Sequence, residues 1–191
     1  ETLQVAAGYL QFWSRHWSRL KASALRLFSC DLSAKDEEAS LEAIKAFCSD
    51  IGQKDQVLKL SLIFLATGPV LYIYSRKRTV QEASVKLYLN QAHPINENAL
   101  HVGHKTHNYL ENMWLLREAK LTGYADYLRV NTQGELCETC IGNCFFIKGD
   151  QIITPSIETG LFPGIIRAVL LEALPIELSL IHISEPTRPS Q

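Results

Sequence analysis

The chain has 191 residues, 47% of them hydrophobic and 20% charged, and a net charge of −1. This composition fits one large or two small globular domains and excludes a disordered chain. The near-zero charge implies no basic face, so nucleic acid is not an expected partner, while an anionic small molecule is compatible.

Thr2 to Val5 reads as a short strand ending at Gly8. Tyr9 to Phe28 then reads as a helix, because Leu10, Trp13, Trp17, Leu20, Ala24 and Leu27 recur at helical spacing. A second helix is expected from Lys35 to Cys48. Ser33 is its N-cap, and Asp36, Glu37 and Glu38 load its first turn with the negative charge that a helix N-terminus favours. Residues 58–65 and 70–75 read as two strands around a Thr-Gly-Pro break at 67–69. The apolar run over 58–74 contains Lys59 and that break, so its uninterrupted part is about half the length a membrane-spanning helix needs. No membrane association is expected. The opening residues ETLQVAAGYLQFW hold no basic leader followed by an apolar run, so no secretory signal is expected.

Lys86 to Gln91 alternates like a strand, and Ala92 to Leu100, polar and containing Pro94, reads as a linker. A long helix is expected from Thr106 to Thr122, with Leu110, Met113, Trp114 and Ala119 on one side and Gly123 as its stop. Tyr127 to Asn131 is strand-like, and Thr132-Gln133-Gly134 is a turn. Cys144 to Lys148 and Gln151 to Thr154 flank Gly149-Asp150, a two-residue hairpin turn. Pro163-Gly164 leads into a helix from Ile165 to Leu174. The order describes a two-domain α+β protein, with domains at 1–91 and 103–178 joined by a linker at 92–102. From Ser179 the text SLIHISEPTRPSQ resembles a translated sequencing adapter. Residues 179–191 are therefore expected to be a non-native tail.

The five cysteines are odd in number and the chain is not small, which argues against a secreted disulfide framework and for a reducing cytoplasm. Cys137, Cys140 and Cys144 form C-x2-C-x3-C, but no second ligand pair of suitable spacing follows, so small buried thiols are the preferred reading. His104 and His107 lack a carboxylate partner in the pattern, and no metal is expected.

Three segments carry potential chemistry: GHKTHNYLEN over 103–112, GELCETCIGNCFF over 134–146 and LFPGIIR over 161–167. Taken singly, Lys105 is a solvated lysine, Arg19 a helix-surface arginine, Glu138 a strand-edge charge and Tyr109 a core residue. Together with ETLQV at the start and the HWSRL motif over 16–20, in this order and spacing, they resemble the fold-type IV pyridoxal-phosphate enzymes, or class IV aminotransferases. The resemblance covers residues 1–175.

It implies a two-domain, D-amino-acid aminotransferase-like α+β fold, truncated at both ends, and pyridoxal 5'-phosphate as cofactor. It places Lys105 as the Schiff-base lysine and proton shuttle and Glu138 as the partner of the pyridine nitrogen. Arg19 and the backbone N–H groups of Ile165 and Ile166 would hold the phosphate, and Tyr109 would lie near the cofactor's ring hydroxyl. A small-molecule amine substrate and a homodimer are further implications. The FETL-type start, Cys140 after Glu138-Thr139, and GIIR in place of GITR resemble the aminodeoxychorismate lyases of that family. That activity converts 4-amino-4-deoxychorismate to 4-aminobenzoate and pyruvate for folate synthesis. A branched-chain or D-amino-acid aminotransferase using 2-oxoglutarate, or an inactive truncated fragment, are the alternatives.

Overall fold

The computed structural model describes residues 1–51, 56–77, 84–179 and 181. The chain divides into two compact units, Glu1–Gln81 and Glu82–Gln191.

The first unit is a four-stranded antiparallel sheet covered by two helices. Strand β1 (Thr2–Ala6) turns through Ala7 and Gly8 into β2 (Tyr9–Leu10). Both turn residues have positive φ, 49° and 83°, as the tight antiparallel turn requires. This hairpin takes Tyr9 and Leu10 out of the expected helix, so α1 begins at Trp13 and runs to Phe28. Helix α2 (Ala34–Ile51) starts where Ser33 predicts. The Ser33 hydroxyl accepts from the Asp36 N–H at 3.3 Å, and the Asp36 carboxylate accepts from the Ser33 N–H at 2.7 Å, a reciprocal cap. Strands β3 (Gln56–Leu65) and β4 (Gly68–Arg76) pair from Val57 opposite Arg76 to Leu65 opposite Gly68, giving the order β2-β1-β3-β4. Alternation along β3 sends Leu58 and Leu60 against Ile44, and Leu62 and Phe64 toward the cluster of Trp17, Leu20, Ala24 and Leu32. Both helices therefore cover one face of this sheet.

In the second unit, β5 (Leu87–Ile95) extends into the start of the stretch read as a linker, taking in Ala92 to Ile95. Its parallel pairing with β6 (Asp126–Asn131) draws those residues into this unit, which is why the division falls before residue 82. Pro94 is accommodated because β5 is an edge strand with a register shift between Asn90 and Ile95. β6 also pairs antiparallel with β7 (Leu136–Thr139), a strand the sequence reading did not resolve. Helix α3 (Leu110–Leu121) starts later than expected, because the Thr106 hydroxyl accepts from the Asn108 N–H at 3.2 Å and holds 106–109 as a turn. Its buried stripe is Leu115, Leu116 and Ala119, packed on Tyr127 and Cys140, whereas Leu110, Met113 and Trp114 are exposed.

The expected hairpin forms between β8 (Phe146–Lys148) and β9 (Gln151–Pro155). Helix α4 (Ile165–Ala173) then returns the chain to β10 (Ile176–Ser179), parallel to β9. Ser179, read as the first residue of a non-native tail, closes this ladder opposite Pro155, and the Ile181 carbonyl accepts from the Leu136 N–H at 2.8 Å. Residue 180 and residues 182–191 lie outside the described residues. Among the described residues no helix is long and apolar enough to cross a membrane.

Candidate active site

Lys105, Tyr109, Glu138, Ile165 and Ile166 all belong to the second unit. Lys105 lies in the irregular segment before α3 and is partly buried. Its Nζ stands 4.9 Å from the centroid of the Phe162 ring and 6.0 Å from that of Tyr109. An ammonium over an aromatic face is attracted by the ring quadrupole, so Phe162 favours the amine at that position.

Glu138 is on β7, whose antiparallel partner Asn143 faces it in an isolated bridge. The loop between them is tight: Thr139 and Gly142 exchange hydrogen bonds, with the Thr139 N–H donating to the Gly142 carbonyl at 2.8 Å. Glu138 Oε2 accepts from the Phe162 N–H at 3.0 Å and from Asn143 Nδ2 at 3.1 Å. Among the described residues no hydrogen bond is made to Oε1. Burial pushes the Glu138 carboxyl up to about 7, against the pull of the Phe162 N–H and of Arg129, Lys105 and Arg167. The site thus presents a carboxylate whose charge is costly and whose second oxygen can still accept a hydrogen bond. A protonated heterocyclic nitrogen supplies both the charge and the donor such a group lacks.

The Cys140 peptide ties the Glu138 loop to the lysine segment. Its N–H donates to the buried Asp126 carboxylate at 3.1 Å. Its carbonyl accepts from the Tyr109 hydroxyl at 3.2 Å and from Asn112 Nδ2 at 2.7 Å. Burial raises the Tyr109 hydroxyl above its ordinary range, with Glu138, Asp126 and Cys140 acting in the same direction. Tyr109 is therefore a neutral donor, engaged with Cys140.

Gly164 is the N-cap of α4 and offers no side-chain cap, so the first N–H groups of the helix, beginning with Ile165 and Ile166, face outward from its positive end. Such an end suits a phosphate. Arg167 follows in the first turn. It is buried, donates through Nη2 to the Pro155 carbonyl at 2.6 Å and has no partner for Nε among the described residues. Arg129 is likewise buried, donating to the His93 carbonyl at 3.1 Å and pairing with the Glu111 carboxylate.

Arg19 belongs to the first unit. Its Nε and Nη2 reach the two oxygens of Glu1 at 3.0 and 2.5 Å, and His16 Nδ1 meets the same carboxylate at 2.9 Å. Burial alone would raise the Glu1 carboxyl, but these bonds hold it down at about 2. The Glu1 carboxylate thus fixes the orientation of the Arg19 guanidinium, a planar cation whose donors suit an oxyanion.

Burial pushes the Cys137, Cys140 and Cys144 thiols up to about 12. They are neutral at physiological pH, and Cys137 Sγ is directed at the Glu135 and Thr159 carbonyls. Among the described residues no three His, Cys, Asp or Glu side chains stand as a metal-binding group.

Phe162, Asn143, Arg129 and Glu1 were not singled out from the sequence as site residues. Phe162 and Asn143 lie inside two of the segments that attract attention, whereas nothing in the run DYLRVN marks Arg129 as a charge near Glu138.

The profile of the family described as "Amino-transferase class IV" matches residues 1–186. An aminodeoxychorismate lyase of Vibrio harveyi is 23% identical over 97% of this chain and 72% of its own length. A probable branched-chain-amino-acid aminotransferase of Thermotoga maritima is 24% identical over 90% of this chain and 63% of its own length. The chain thus spans between about three fifths and three quarters of the length of these relatives. A solved structure from Legionella pneumophila, provisionally assigned as a 4-amino-4-deoxychorismate lyase, superposes with a TM-score of 0.84. It is 24% identical, and the match covers 95% of this chain and 72% of that one.

Proposed function

The chain belongs to the amino-transferase class IV family, with its fold-type IV architecture, and on that premise we propose that it provides the pyridoxal-phosphate site of an aminodeoxychorismate lyase. The observation that carries this reading is the shared dependence of Lys105 and Glu138 on Phe162. The ring of Phe162 faces the amine, and its N–H holds one oxygen of the carboxylate.

Pyridoxal phosphate supplies an electron-accepting ring conjugated to the carbon that bears the substrate amine. Lys105 is the covalent attachment point for the cofactor aldehyde. With the substrate bound, Lys105 Nζ would be the base that takes the proton from the carbon bearing the substrate amine. Glu138 would pair with the ring nitrogen and favour its protonated form, which strengthens electron withdrawal. The Ile165 and Ile166 N–H groups would hold the phosphate and Tyr109 would border the ring; the family resemblance assigns Arg19 to phosphate binding as well. The bond between the six-membered ring and the enolpyruvyl oxygen breaks, the released enolpyruvate takes up a proton to become pyruvate, balancing the one Lys105 removes, and the ring becomes aromatic 4-aminobenzoate. Orientation and the driving force of aromatisation carry the reaction.

The similarity to the Vibrio harveyi lyase supports this assignment. So does Ile166, which brings no hydroxyl to the N-terminus of α4. Transamination of a branched-chain or D-amino acid with 2-oxoglutarate would use the same groups, and the similarity to the Thermotoga maritima protein favours it. A cytoplasmic homodimer acting on a small amine is part of the same reading. The discriminating experiment supplies 4-amino-4-deoxychorismate without an amino acceptor. Pyruvate release identifies the lyase, and turnover that requires 2-oxoglutarate identifies the aminotransferase.

A further inference from the structure

Asn143 has no place among the groups assigned above, yet its geometry is closely constrained. Its Nδ2 donates to Glu138 Oε2 at 3.1 Å and to the Phe162 carbonyl at 2.8 Å. The Phe162 N–H donates to the same Oε2 at 3.0 Å. Carboxylate, amide and peptide close a small ring in which one carboxylate oxygen receives both bonds. The other side of the Asn143 amide rests on Gly164, where an added Cβ would stand 2.1 Å from Asn143 Oδ1. Gly164 has φ −68° and ψ 140°, extended backbone that any residue adopts. Its lack of a side chain therefore answers to the space Asn143 occupies and not to backbone strain.

We propose that Asn143 is a positioning residue for Glu138: with the Phe162 peptide it fixes Oε2, and so presents Oε1 to the nitrogen of the bound cofactor. Gly164 is free of a side chain so that this amide can sit there. The inference rests on reading Glu138 as the partner of the cofactor ring. The charges that act on the same carboxylate come from Arg129 on β6, Lys105 before α3 and Arg167 on α4. Against burial, which raises the carboxyl to about 7, a donated hydrogen bond favours the charged form. Removing the amide therefore moves the titration upward.

The test uses the full chain, labelled with 13C at glutamate carboxyls, and the Glu138 signal is identified by its loss in Glu138→Gln. In the cofactor-free protein Asn143→Ala raises the Glu138 midpoint by about one unit and weakens pyridoxal-phosphate binding about tenfold. Asn143→Asp, the same shape without the donor, raises the midpoint further and keeps the comparison available if the smaller residue unfolds the protein. Gly164→Ala behaves like Asn143→Ala because its methyl displaces the amide. The double variant Asn143→Ala/Gly164→Ala removes the collision, so it melts nearer the parent while keeping the raised midpoint. A parental midpoint in Asn143→Ala, or its return in the double variant, reduces Asn143 to packing and overturns the inference. Unchanged cofactor binding and absorbance in Glu138→Gln overturn the reading beneath it, independently of the Asn143 midpoint.

Discussion

The Phe162 N–H donates to Glu138 Oε2 at 3.0 Å, yet the carboxyl is still pushed up to about 7 by burial. Its folded value thus lies above the ordinary 4.5, and the native state binds more protons than the unfolded chain between those limits. The sign follows: the stability of the cofactor-free protein falls as pH rises from about 4.5 to about 7, by roughly 3 kcal/mol in all. Urea unfolding across that range checks it. Glu138→Gln flattens the dependence, and an equally steep dependence in that variant would assign it to another group.

Tyr109→Phe deletes a hydroxyl that donates to the Cys140 carbonyl at 3.2 Å. That carbonyl retains the Asn112 amide at 2.7 Å, so the expected loss is about 1 kcal/mol or less. The reading of Tyr109 as a neighbour of the cofactor ring predicts in addition a several-fold weaker binding of pyridoxal phosphate. Titration by fluorescence separates the two effects, since a purely structural tyrosine lowers the melting temperature without changing that affinity.

Gly160 has φ 86°, and a Cβ there would stand 2.7 Å from the Cα of Glu97. Both conditions oppose a side chain, so Gly160→Ala costs about 2 kcal/mol or more. The same turn precedes Leu161 and Phe162, so the variant also disturbs the Phe162 contacts. Chemical denaturation gives the cost. A variant as stable as the parent would show that the Glu97 segment yields without penalty.

Cys137 and Cys140 are 0% and 1% exposed, and burial pushes both thiols up to about 12. Thiolate, the reactive form, is scarce and inaccessible there. A disulfide exchange reagent is expected to label these two cysteines only after unfolding, as peptide mapping would show. Rapid labelling of either in the native protein would contradict their place in the core.

Much of the fold is written in local signals. The Ser33 cap, the Gly149-Asp150 turn and the Thr-Gly-Pro break at 67–69 each act within a few residues of themselves, and the structure forms α2, the β8–β9 hairpin and the β3–β4 hairpin accordingly. What escaped depends on distant partners. β5 continues through Pro94 because β6 lies beside it, and β10 exists because β9 offers a parallel edge. The start of α3 depends on a hydroxyl turn at Thr106 that helical spacing does not reveal. The candidate site divides in the same way. Lys105, Glu138 and the Pro163-Gly164 approach to α4 stand in segments recognisable by resemblance. Asn143 and Phe162 gain their roles from contacts made across about twenty residues of chain, and a linear pattern does not express those contacts.

The proposed function turns on Lys105 as the residue that carries the cofactor. Loading the full chain with pyridoxal phosphate, reducing with borohydride and sequencing the peptides by mass spectrometry tests it directly. A phosphopyridoxyl adduct is expected on Lys105, absent in Lys105→Ala together with the visible absorbance of the loaded protein. An adduct confined to other lysines, or a loaded protein whose colour survives in Lys105→Ala, would contradict it.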